Sequence, residues 1–245
     1  MAIIAPPVRK LITGIIWGDE GKGKVVDEQV CIAQSFDDGQ DVVVARFQGG
    51  ENAGHTLYVL ISGKWHKFVT HAAPSGIIRN TDLAIGPQVA FNPLSFIREI
   101  EEADRLLGGY NGRILISNRT GVSFDYHKIL DAARESAGRG VGSTKSGIAP
   151  FYEDVARKTT RITFKEYLSD NFPNKLKEVL KDKKLELESV GVSISSMLEK
   201  LVEEHKSARQ GLKGQGVDLE YRTREYIERG AHIIIEGAQG SGLDV

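Results

Sequence analysis

An apolar run, Leu11 to Trp17, passes directly into Gly18-Asp-Glu-Gly-Lys-Gly-Lys24, and a helical pattern follows. No other feature constrains the fold as much. A buried strand (Lys10 to Trp17), a glycine-rich turn and a helix (Val25 to Gln34) together have the layout of a phosphate-binding loop. Gly18, Gly21 and Gly23 remove side chains, so backbone N–H groups can close on an anion. Lys22 and Lys24 supply positive charge, and the start of the helix adds its dipole. From Gly18 the spacing is Gly-x4-Gly-Lys, but Val25 stands where Ser or Thr would hold magnesium. Asp19, inside the loop, becomes the candidate metal ligand. A carboxylate in a phosphate cradle repels an anion unless it binds a metal or moves a proton.

The rest of the chain alternates strands and helices, which predicts an α/β fold with a mostly parallel central sheet and flanking helices, a P-loop-like nucleotide-binding architecture. Asp41 to Phe47 reads as a second buried strand, and the loop Gln48 to Thr56 carries three glycines, an Asn and a His. Leu57 to Val69 reads as a hairpin turning at Ser62-Gly63. Asp82 to Ile85 and Arg113 to Ser117 are further strands. Asn92-Pro93 starts a helix to about Leu107, because Asn caps well and Pro suits the first helical position. Tyr126 to Ser136 is a helix, and Thr144 to Arg157 reads mostly as loop. Residues 160 to 230 form a helical insertion of two or three amphipathic helices, with Lys175 to Lys184 as a solvated face. His232 to Glu236 is a buried strand that runs into another glycine-rich loop, Gly237 to Gly242. Residues 1–245 are expected to form a single α/β catalytic domain. A strand and loop of that kind normally fall in the middle of such a domain, so the chain is expected to be truncated at its C-terminus.

Composition narrows the function classes. The 245 residues carry a formal net charge of −1, which does not indicate a nucleic-acid surface. No apolar stretch is long enough to span a membrane, and Met1 to Pro7 lacks the layout of a signal peptide. The single cysteine, Cys31, cannot form an internal disulfide. It falls on the apolar side of its helix, where a small buried hydrophobe is expected, and it fits a reducing, cytoplasmic setting.

Three loops follow strands: Gly18 to Lys24, Gln48 to Thr56 and Gly237 to Gly242. A parallel sheet gathers such loops at one edge, where ligands bind. Gathering them places Asp19, Lys22, Asn52, His55 and Gln239 around one crevice. Asp and His make an acid–base pair, Lys with backbone N–H groups makes a phosphate clamp, and the two amides suit a base or ribose. This describes phosphoryl transfer onto or beside a nucleotide. His66, His71, His127, His205 and His232 are read as structural.

Trp17-Gly-Asp-Glu-Gly-Lys-Gly-Lys24 and Arg46-Phe-Gln-Gly-Gly-Glu-Asn-Ala-Gly-His-Thr56 resemble the signature loops of the adenylosuccinate synthetase family. So do Pro74-Ser-Gly-Ile77, Asp125-Tyr-His127, Glu236-Gly-Ala-Gln239 and Gly142-Ser-Thr-Lys-Ser-Gly-Ile-Ala-Pro150, with Tyr152-Glu-Asp154 and Ala156-Arg157. In the loop from Gly142, Lys145 and Ser146 replace a Gly-Arg pair, and Glu51 stands where His is common. The resemblance implies a ligase that forms a C–N bond, joining IMP and L-aspartate with GTP hydrolysis in AMP biosynthesis, through 6-phosphoryl-IMP. Asp19 would take the N1 proton of IMP and bind Mg²⁺ with the carbonyl of Gly54. His55 would act as the acid, and Lys22 would stabilise the transferring phosphoryl group. Gly18, Asp19, Glu20, Gly21, Lys22, Gly23, Lys24, Gly54, His55 and Thr56 would bind GTP. Asp19, Glu20, Gly21, Lys22, Asn52, Ala53, Gly54, His55, Thr144 and Gln239 would meet IMP. Arg157, with Lys158 as the alternative because the segment Glu153 to Arg157 is one residue shorter than the family's, would reach the IMP phosphate of the neighbouring subunit in a homodimer. The segments that bind aspartate and select guanine would follow Gln239.

Three other readings remain. A generic P-loop kinase or ATPase is opposed by Val25 and by the second loop. A branch acting on another purine nucleotide, such as dGMP, tends to replace the loop aspartate, which is present here. A non-catalytic nucleotide-binding fragment fits the missing C-terminal half.

Overall fold

The computed structural model describes residues 6–138 and 143–242. Gly142, which opens one of the motifs above, lies outside them, as does most of the N-terminal segment. The first half of the described chain runs β1 (Arg9–Gly14), α1 (Lys22–Ser35), β2 (Val42–Gly49), β3 (His55–Ile61), β4 (Lys64–Thr70), a 3₁₀ turn (Ser75–Arg79), β5 (Asp82–Phe91), α2 (Pro93–Leu107), β6 (Ile114–Ser117), β7 (Gly121–Val122) and α3 (Asp125–Ser136). The second half runs α4 (Ile148–Arg157), α5 (Phe164–Leu168), α6 (Phe172–Asp182), α7 (Lys184–Ser189), α8 (Ile194–Glu204), α9 (Lys206–Gly211), β8 (Gly216–Val217), α10 (Leu219–Glu228) and β9 (His232–Gly240).

The main sheet has the order β1-β9-β2-β5-β6-β8, with β7 paired to β5. Every pairing in it is parallel. The last strand of the chain is therefore inserted between the first two. Parallel strands covered on both faces read as continuous apolar runs, which is how β2 and β9 read. Successive side chains face opposite ways. Val44 and Ile234 join Val26 and Val30 of α1 on one face, while Val43 and Ile233 join Tyr226 of α10 on the other. Each such fully buried aliphatic side chain contributes about 1.5–3 kcal/mol. The largest core packs α2, α3 and α5 to α8 against β5 and β6, through residues such as Phe91, Phe96, Phe124 and Phe172.

The α/β expectation holds, with corrections in detail. β1 is an edge strand, not a buried one, and Leu11 within it and Ile15, Ile16 and Trp17 beyond it are exposed. Periodicity cannot distinguish a central strand from an edge strand that keeps apolar residues. Cys31 is exposed, because α1 turns Val26, Val30 and Ala33 inward and leaves Cys31 and Ile32 outside. Residues 148–157 are helix α4, not loop. Gly147 adopts φ 77° as its N-cap, and Pro150 lies in the first turn, where its missing N–H costs nothing. The insertion holds three long helical runs, two of them interrupted, at Lys183 and His205, with a short α5 before them. Lys177, Lys181 and Lys184 are solvated as expected, but Lys183 is fully buried. The hairpin turns at Ser62 (φ 49°) and Gly63 (φ 78°), and α2 starts at Asn92, whose side chain accepts from the N–H groups of Leu94 and Ser95.

Candidate functional site

Because β1, β9 and β2 are neighbours, their C-terminal ends place three chain segments side by side. They surround a cavity of about 580 Å³. Trp17 to Lys24 line one side and Asn52 to Thr56 another, with Thr144, Ala238 and Gln239 completing the wall. Every residue expected in the crevice lines this cavity, and Arg157, expected to reach the neighbouring subunit, does not. That residue is exposed in the last turn of α4, 4.0 Å from Glu186.

The first loop has a left-handed backbone at Gly18 (φ 97°), Asp19 (φ 55°) and Gly21 (φ 76°). Asp19 is a non-glycine residue in that region, which costs about 1–2 kcal/mol. The Glu20 carboxylate folds inward and accepts the N–H groups of Ile15 (3.0 Å) and Ile16 (3.1 Å). It thereby shapes the loop and leaves Asp19 as the loop acid free of those backbone bonds. The loop is also tied to the end of β9, where the N–H of Gly242 donates to the carbonyl of Ile16 (2.7 Å). α1 begins at Lys22 with no side-chain cap, so its first N–H groups are open to an anion. Lys22 is only 5% exposed.

The second segment is set from behind. Glu51 points away from the cavity and accepts Asn92 Nδ2 (2.8 Å), Ser95 Oγ and Lys128 Nζ (2.7 Å). Burial pushes its carboxyl up, but the bonds from Lys128, Ser95 and Asn92 outweigh this and hold it below the usual value. Asn52 follows, and its Oδ1 is buried without a hydrogen-bond partner. His55 is 7% exposed, and its Nδ1 contacts Glu236 Oε1 and lies 3.2 Å from Ser75 Oγ. Glu236 is fully buried. Burial raises its carboxyl, but the His55 hydrogen bond and charge, with Arg46 and the Ser75 N–H, hold it below the ordinary range. Two further ring or amide atoms lack partners: His55 Nε2 and Gln239 Oε1. Unpaired buried polar atoms cost about 1–3 kcal/mol each, so three around one cavity mark a place where a polar ligand completes them.

Thr144 is exposed at the rim and bonds Ser146 Oγ (2.8 Å). Its turn hangs from Asp131, which accepts Ser143 Oγ and the N–H of Gly147, both at 2.9 Å. Sequence reasoning assigned no role to Ser75 or Glu236, although both fall inside quoted motifs. Their placement beside His55 needed the insertion of β9 next to β2.

Among the described residues no group of three or more His, Cys, Asp or Glu converges. Asp19 and Gly54 line the same cavity, so a carboxylate and a backbone carbonyl belong to its wall residues. Two hard oxygens fit Mg²⁺, which takes most of its shell from phosphates and water.

The adenylosuccinate synthetase family model matches residues 11–245. A chloroplastic adenylosuccinate synthetase 2 of Sorghum bicolor is 37% identical over 238 residues, 96% of this chain and 46% of that protein. The adenylosuccinate synthetase of Acidithiobacillus ferrooxidans is 35% identical over 96% of this chain and 53% of its own length. The fully ligated adenylosuccinate synthetase structure from Plasmodium falciparum superposes with TM-score 0.75 and 27% identity, covering 98% of this chain and 53% of that one. The fold is shared with the succinoaminodeoxyadenylate synthetase of cyanophage S-2L, with TM-score 0.62 and 18% identity over 98% of this chain and 54% of that one. The chain spans about half the length of the curated relatives it matches. No helix among the described residues is long and apolar enough to cross a membrane.

Proposed function

The chain belongs to the adenylosuccinate synthetase family, and from that premise we propose that its cavity holds IMP and the phosphates of GTP for the ligation of IMP with L-aspartate. The observation that carries this reading is the set of three unpartnered atoms, Asn52 Oδ1, His55 Nε2 and Gln239 Oε1, around the uncapped N-terminus of α1.

In this reading Asp19 takes the proton from N1 of IMP, and the 6-oxygen attacks the γ-phosphorus of GTP. GDP leaves, and 6-phosphoryl-IMP carries a good leaving group where a poor one stood. The amine of aspartate then displaces phosphate and gives adenylosuccinate. Lys22 and the first N–H groups of α1 stabilise charge on the transferring phosphoryl group, in a site where fixed dipoles need no reorganisation. His55 presents Nε2 to the phosphates. Gly18 to Lys24 and Gly54 to Thr56 wrap the GTP phosphates, while Asn52, Thr144 and Gln239 contact IMP. Mg²⁺ held by Asp19 and the Gly54 carbonyl would neutralise phosphate charge. Arg157, exposed and outside the cavity, is assigned to the IMP phosphate bound by a second copy in a homodimer.

The test is to mix the chain with IMP, GTP, aspartate and Mg²⁺, to measure adenylosuccinate with each component omitted in turn, and to titrate IMP and GTP by calorimetry. Product that needs all four components means the chain carries a complete site. Nucleotide binding without product means it carries the IMP and phosphate portion alone. A folded chain that binds neither nucleotide overturns the reading.

A further inference from the structure

Two hydrogen-bond donors of Ser75 and one ring nitrogen of His55 converge on the two oxygens of Glu236. Its Oε2 accepts the N–H of Ser75 (2.7 Å), and its Oε1 accepts Ser75 Oγ (2.7 Å) and faces His55 Nδ1. Ser75 and Glu236 are both fully buried, so water cannot take over any of these bonds. The ring atom facing the carboxylate has two possible states. Without a proton, Nδ1 would turn a lone pair on a carboxylate oxygen. Among the described residues the only other donor in reach is Ser75 Oγ, which lies 3.2 Å from Nδ1 but 2.7 Å from Glu236. With a proton, every group is satisfied. The partner of a buried histidine nitrogen decides which nitrogen carries the proton, and here the partner is a carboxylate.

We propose that Glu236 is the positioning residue that fixes His55 as its Nδ1–H tautomer, so that Nε2, buried and unpartnered beside the cavity, is the ring atom offered to the ligand. Ser75 aims the carboxylate rather than the ring. It is held in turn by Glu99, whose carboxylate accepts the N–H groups of His71, Ala72 and Ala73 just upstream. The consequence for phosphate binding rests on the proposed function, but the tautomer does not, since it belongs to the unliganded protein.

The experiment is ¹⁵N NMR of histidine rings in the whole chain, with His55 assigned by its loss in His55→Gln. Spectra are recorded on the alkaline side, where a ring holds one proton. The expected result is a protonated Nδ1 and a bare Nε2. A bare Nδ1 with a protonated Nε2 in the unmodified protein overturns the proposal, and this measurement needs no folded variant of Glu236. In Glu236→Gln a single amide oxygen can satisfy Ser75 while the NH₂ group faces the ring, so the proton is expected to move to Nε2. Ser75→Ala removes one bond and is expected to leave it on Nδ1. A folded Glu236→Gln that keeps the Nδ1 proton also overturns the proposal. The expected tautomer in a chain that binds no nucleotide leaves the positioning role standing and removes the function.

Discussion

Gly23 lies directly against His55: a Cβ on Gly23 would stand 2.7 Å from the His55 Cβ and 3.1 Å from its Cγ. The backbone at Gly23 is ordinary helix, with no positive φ. The third glycine of the phosphate loop therefore serves close approach of α1 to the second loop. Helix propensity alone favours Gly23→Ala by about 1 kcal/mol, whereas overpacking costs about 1–3 kcal/mol. The expected outcome is a net loss of stability in urea unfolding, together with weaker IMP and GTP binding as the ring is pushed aside. A more stable variant with unchanged affinity would remove Gly23 from the argument.

Gly49 and Gly39 separate conformation from packing. Both adopt a left-handed backbone, with φ of 77° and 71°. Nothing lies within 4 Å of a Cβ on Gly39, but one on Gly49 would meet Ala238 Cβ at 2.3 Å and Gln239 Oε1 at 2.9 Å. Gly39→Ala is expected to cost about 1–2 kcal/mol from backbone strain alone. Gly49→Ala adds the clash and is expected to cost about 1–3 kcal/mol more. It should also lower IMP affinity by displacing Gln239. Equal unfolding midpoints for the two variants would contradict this.

The sequence made most of the sheet and the site legible where local chemistry decides. Ser62-Gly63, Asn92-Pro93 and the glycines around Asp19 are read from backbone preference alone. The gathering of Asp19, Asn52, His55 and Gln239 followed from strands ending at one edge. Other features depended on contacts far apart in sequence. The breaks at Lys183 and His205 contain no Gly or Pro, so periodicity passed over them. Gly147 and Pro150 looked like loop punctuation but cap and open α4. Whether β1 was central or at the edge depended on strand order, which no local window contains.

His205 makes acid stability testable. Its ring is 1% exposed, packs on Phe124 and Tyr167, and bonds Tyr167 Oη through Nδ1 at 3.0 Å. Burial drives its pKa down to about 4, against an opposing pull from Asp125 and a small push from Arg209. The unfolded ring takes up its proton near the ordinary value of about 6.5. Between those values the unfolded state binds more protons, so stability falls as pH falls. His205 alone is expected to remove about 3 kcal/mol between pH 7 and pH 4. His127, also lowered by burial, acts in the same direction. Urea midpoints at intervals across that range test this, and His205→Gln should flatten the slope. A parental chain equally stable at pH 7 and pH 4.5 would contradict it.

The buried pair Lys183–Asp154 predicts an asymmetry between its two halves. Lys183 Nζ lies 2.6 Å from Asp154 Oδ1, with the two side chains 0% and 3% exposed. The carboxylate has other partners: Thr160 Oγ1 at 2.9 Å, Tyr126 Oη at 3.0 Å and His127 Nε2 at 3.2 Å. Among the described residues the ammonium has only Glu186 besides, at 3.8 Å. Removing one partner of a buried pair costs about 3–5 kcal/mol, because the other charge is left uncompensated. Asp154→Asn leaves the worse-served charge and should show that full cost. Lys183→Met leaves a carboxylate still held by three donors and should cost less. The double variant should be more stable than Asp154→Asn alone, since the second change removes the stranded charge. Burial raises the Asp154 carboxyl, but His127 and Lys183 outweigh it and hold it below 3.8. Its contribution is therefore present above that value and lost as pH falls below it. In Lys183→Met, with one of those holds removed, the folded carboxyl lies closer to its unfolded value, so less stability should be lost as pH falls below 3.8. Urea unfolding of the parent and the three variants at pH 7, pH 4 and pH 3 reads both effects. A double variant less stable than either single one would mean that the pair is not coupled.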